Sequence, residues 1–163
     1  MLASLILAIV VGSNTFWALP SHYQENIALK AAAEVSQTVK PADLVINYWD
    51  DTSLLYGALW SKHICNFPGL AEAKGGKMAL DELPTWIADT HQRGGEVYFL
   101  CILDESESDW AKLLGIRGVP YHTFDLYRQK SHAVLNFKYN GVEKSLRILD
   151  KDYNKDQSLS SVK

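Results

Sequence analysis

The chain has 163 residues, with 16 Lys and Arg against 19 Asp and Glu, a formal charge of −3 and a pI near 5.9. That length fits one domain, and the acidic balance excludes a nucleic-acid binder that works by neutralising phosphates. Hydrophobic residues at 47% and aromatics at 11% exclude a wholly disordered chain. The two cysteines, Cys65 and Cys101, exclude a disulfide scaffold and a four-cysteine zinc site.

Residues 1–24 contain no Lys, Arg, Asp or Glu; the first of these is Glu25. As a helix, the first nineteen residues span about 28 Å at ~1.5 Å per residue, close to the ~30 Å hydrocarbon core of a bilayer. Phe16 and Trp17 stand near one end, where aromatic side chains favour the interface. Residues 1–20 are therefore read as a transmembrane helix. A secretory signal peptide is one alternative, but it needs a basic leading segment, which is missing, and Val11-Gly12-Ser13 is a poor cleavage site. A buried helix of a soluble body is the other, and nineteen residues without a polar face fit it badly. A single-pass anchor normally has polar residues on both sides, whereas this run begins at Met1, which points to the tail of a polytopic membrane protein. Charge does not orient the span: Lys30 and Lys40 are offset by Glu25 and Glu34.

Residues 21–150 read as a soluble α/β domain. Pro20 and Ser21 end the apolar run, and Ser21 with Gln24 fits a capping box. A helix from about Tyr23 to Val39 carries Ala28, Ala31, Ala32, Val35 and Val39 on one stripe, and Pro41 stops it. Leu44-Val45-Ile46, then Tyr48-Trp49, predicts a strand covered on both faces. Asp50-Asp51-Thr52-Ser53 supplies caps for a helix through about Lys62, with Leu54, Leu55, Ala58 and Leu59 as its apolar stripe. Asn66-Phe67-Pro68-Gly69 and Gly75-Gly76 are turn signals. A helix from about Leu80 to Gln92 follows, with Pro84 near its first turn. Glu96 to Leu103 is the strongest strand signal, and Asp104 to Asp109 an acidic loop in which Ser108 or Asp109 caps a short helix ending at Gly115. Val134 to Phe137, Asn140-Gly141 and Val142 to Leu149 predict a closing hairpin with a type I′ turn. Residues 151–163 form a polar, flexible tail. The order implies a small open twisted sheet flanked by helices, with a C-terminal β-hairpin.

In such sheets ligands favour the carboxyl ends of the parallel strands. Here those ends carry Asp50 and Asp51 on one strand and Asp104 and Glu105 on another. Each pair is explained by helix capping or a solvated loop, and side by side they would form one acidic binding crevice. His63 and Cys65 are the only close-spaced metal-ligand types among the histidines and cysteines, and no second pair supports a zinc site. Cys101 lies inside an apolar strand, where a thiol is buried and inert. Gly75-Gly76-Lys77 lacks the first glycine and the Ser/Thr of a phosphate loop. No catalytic residue, cofactor or metal follows from the residues.

Gly115-Ile116-Arg117-Gly118-Val119-Pro120 resembles the segment before the cis-proline of thioredoxins, over about 25 residues. The Cys-x-x-Cys of that family is replaced by Asp50, Asp51, Thr52 and Ser53 after Tyr48-Trp49, so this resemblance implies at most a redox-inactive thioredoxin-like domain. A second resemblance covers roughly residues 1–150. An apolar helix is followed by an Ala-rich helix near Asn26, then Pro41-x-Asp43-Leu44-Val45-Ile46 and a helix with Leu55-Tyr56. Gly94-Gly95-Glu96-Val97-Tyr98 and the hairpin from Val134 to Leu149 complete it. This order is similar to the C-terminal end of bacterial integral-membrane glycosyltransferases of the GT-C type. The resemblance implies sugar transfer from a polyprenyl-phosphate donor to an acceptor at the membrane surface, with an extracytoplasmic α/β domain capping the membrane-embedded site. The implied partners are the lipid bilayer, a lipid-linked sugar and an acceptor. The family's catalytic carboxylates match no position here, so this part alone is inactive. A membrane-anchored α/β binding domain without activity is the rival reading.

Overall fold

A computed structural model describes residues 27–48, 63–139 and 141–153. The transmembrane helix expected over residues 1–20 and the helix expected from Asp50 to Lys62 lie outside them. No helix among the described residues is long and apolar enough to cross a membrane.

Helix α1 (Ile27–Thr38) buries Ala32 and Val35 on the predicted stripe, with Val39 just past its end. Before Pro41 can end the chain's turn, Lys40 N donates to Asp43 Oδ2 at 2.7 Å, and Glu96 N donates to Asp43 Oδ1 at 2.8 Å. This buried carboxylate ties the turn to the chain entering the third strand, satisfying two backbone donors that would otherwise be stranded. Strand β1 (Leu44–Asn47) is buried on both faces, as its unbroken apolar run requires, and ends before Tyr48 rather than after Trp49.

The turn signals at Asn66 to Gly69 mark the start of a helix that follows directly on a strand. Strand β2 (His63–Asn66) leads directly into α2 (Phe67–Lys74). Asn66 is the helix cap, its Oδ1 accepting from Gly69 N at 3.2 Å, and Pro68 occupies the first turn. Helix α3 (Gly76–Gln92) starts four residues before the expected Leu80, which puts Pro84 in its interior. The early start has a steric cause. Gly76 sits against the Arg117 carbonyl and Gly118, so closely that a Cβ would stand 2.3 Å from Arg117 O.

Strand β3 (Val97–Leu100) is shorter than expected because Cys101 turns left-handed, φ 63°, into a 3-10 turn over Ile102–Asp104. Helix α4 (Glu107–Leu113) is capped by Ser106, whose Oγ accepts from Asp109 N at 3.2 Å, two residues before the expected Ser108. Turns at Gly115–Arg117 and Tyr121–Phe124 lead into α5 (Asp125–Gln129). The closing hairpin is β4 (Ser131–Tyr139) and β5 (Val142–Leu149), with Tyr139 opposite Val142 and Gly141 at φ +78° in the tight turn.

The five strands form one mixed sheet in the order β2-β1-β3-β5-β4. β2, β1 and β3 are parallel, and β5 is antiparallel to both β3 and β4. The fold is thus α/β, an open sheet with helices on it, as expected. One aromatic cluster fills the side bearing Phe99: Phe124 lies 5.3 Å from Phe67 and 4.9 Å from Trp110, and Tyr127 lies 5.2 Å from Phe99. Tyr127 also stacks on Tyr153 at 5.3 Å. Tyr153 is fully buried, so the body extends past Asp150 by at least these residues.

Candidate functional site

The carboxyl ends of β1 and β3 carry the acids singled out in the sequence. Asp50 and Asp51 lie outside the described residues. Asp104 and Glu105 lie side by side after β3, but neither faces solvent as an open ligand. Asp104 accepts from Ser145 N at 2.6 Å and from Ser145 Oγ at 2.8 and 2.9 Å. Glu105 pairs with Lys144, and both side chains are about nine-tenths covered, 9% and 11% exposed. The acidic loop is therefore fastened to β5. The cause is the sheet pairing: Cys101 N donates to Ser145 O at 3.0 Å, which continues the β3–β5 ladder and delivers Lys144 and Ser145 to the loop. Farther along, Asp109 accepts from Lys112 at 2.9 Å and from Ser106 at 2.7 Å, and the lysine first, then the serine, lowers the pKa of its carboxyl.

Above the same end, Trp110 is buried and donates from Nε1 to Val119 O at 2.8 Å. Tyr48, just past β1, stacks on it at 6.3 Å and donates its hydroxyl to Asp109 O at 3.2 Å. Arg128 lies over Tyr121 at 3.9 Å and over Trp110 at 5.3 Å. It donates to Asp125 at 2.8 Å and to the Tyr121 carbonyl at 3.1 Å. A cation over two ring faces is favourable, and here it closes the aromatic cluster. Neither Arg128 nor Lys144 stands out in the sequence: Arg128 pairs locally with Asp125, as many surface arginines do, and its place over Trp110 comes only with the fold, while Lys144 meets Glu105 from 39 residues away.

A hollow of about 480 Å³ lies at the β2 edge of the sheet. His63, Ile64, Cys65, Leu70 and Trp86 contribute to its walls; Asp104 and Glu105 do not. Burial, and next the charge of Glu82, push the Cys65 thiol up to about 12. Burial, and next Asp104, push the Cys101 thiol far above its ordinary value. Both thiols stay protonated at neutral pH and are poor nucleophiles and poor metal ligands. They also stand on β2 and just past β3 with β1 between, roughly 10 Å apart at ~4.8 Å per strand. That excludes a disulfide and a shared tetrahedral metal. Among the described residues no group of three or more His, Cys, Asp and Glu could hold a metal ion.

The segment Gly115 to Pro120 departs from the thioredoxin pattern. Pro120 leads into the 3-10 turn at Tyr121, not into a strand, and all peptide bonds of the described residues are trans, Val119–Pro120 included. Comparison with protein families, curated proteins and solved structures gives no match to this chain.

Proposed function

We propose that the chain is the last membrane helix and the C-terminal α/β domain of a GT-C type integral-membrane glycosyltransferase, the domain being a non-catalytic cap over the membrane-embedded site. On this reading the enzyme transfers a sugar from a polyprenyl-phosphate donor, and the domain stands on the extracytoplasmic side. The observation that carries the reading is the junction in the chain: 24 residues without Lys, Arg, Asp or Glu precede an α/β body of ordinary charge. Among the described residues, Asp104 and Glu105 serve the sheet, bound by Ser145 and Lys144.

The test has two steps. Membranes carrying the full-length protein are washed with alkaline carbonate, and the protein is expected to stay with the lipid until detergent releases it. The detergent-purified protein is then assayed for transfer from a polyprenyl-phosphate sugar. Release by carbonate alone refutes the membrane reading. Retention without transfer leaves the rival, an anchored binding domain; the hollow beside β2, walled in part by Ile64, Leu70 and Trp86, is the feature that favours it.

A further inference from the structure

We draw no further inference here: the strongest candidate, the hollow at the β2 edge of the sheet walled in part by Ile64, Leu70 and Trp86, carries none because nothing in the structure shows what covers it.

Discussion

The Glu105–Lys144 pair gives the sharpest test of how the acidic loop is held. Both side chains are about nine-tenths covered, and Asp104 lies next to the pair, bound by Ser145. Removing one partner of a buried pair strands the other charge, which costs about 3–5 kcal/mol, whereas replacing both is often close to neutral. The neighbours decide the order. Glu105→Gln leaves Lys144 with Asp104 as a nearby negative charge, so its loss belongs at the low end, about 3 kcal/mol. Lys144→Met leaves two adjacent carboxylates with no cation, and its loss belongs at the high end, about 5 kcal/mol. Adding Glu105→Gln to Lys144→Met removes the stranded charge, so the double variant is more stable than Lys144→Met alone, with a coupling of at least ~2 kcal/mol. The measurement is urea unfolding of the full chain in mild detergent, followed by near-ultraviolet circular dichroism and extrapolated linearly. Losses that simply add, or singles that each cost under about 1 kcal/mol, would mean a surface-like pair and refute the reasoning.

Gly95→Ala puts a Cβ 2.2 Å from Ala42 O and 2.9 Å from Ala42 C, backbone atoms fixed by the Asp43 turn. The loss is about 2 kcal/mol, read as a melting point lower by roughly 8 °C. Tyr153→Ala empties a buried site stacked on Tyr127 and costs about 3 kcal/mol in the same melt; an unchanged melting point would detach the chain end from the core. Burial keeps the proton on the folded Cys65 thiol up to about 12, while the unfolded thiol releases it near 9. Stability is therefore insensitive to this group below pH 9 and falls as pH rises from about 9 to about 12. Cys65→Ala should flatten that slope in unfolding measured across the range, and an unaltered slope counts against a buried thiol.

The elements legible in the sequence are those whose signal is local and long enough to repeat. The α1 stripe, the apolar run of β3 and the Asn140-Gly141 hairpin all belong to this kind. The turn signals at Asn66 to Gly69 fall on a helix start because these residues serve two grammars. Asn66, Pro68 and Gly69 are turn formers, yet an asparagine followed by a proline is also how a helix begins. The strand before them has four residues, and α5 has five, too few for either to show a period. Pro84 misled in the opposite direction. It marked a helix start by its missing donor, whereas the helix began where Gly76 could approach the Gly118 backbone, a contact between residues about forty apart.

The acids at the end of β3 show why a site is harder to read than a fold. Their types were visible, but their availability depends on β5, more than forty residues downstream for Asp104. The Asn140-Gly141 turn pairs the strand from Val142 to Leu149 with the one before it without saying which strand lies on its other side. Once it pairs with β3, the Cys101–Ser145 bond sets the register, and Lys144 and Ser145 arrive at Glu105 and Asp104 as a consequence. A pairing slipped by one residue would turn these side chains to the other face and leave both acids open. The same register carries the hairpin tip and Val142 beyond the strand ends. Closing the acidic loop and projecting the apolar tip are thus two results of one backbone alignment, so weakening the first through Lys144 should also blur the second. Amide hydrogen exchange over the hairpin tip, Val142 to Lys144, is expected to speed up at least about tenfold in the Lys144→Met variant. If exchange there is unchanged, the tip is positioned independently of the loop.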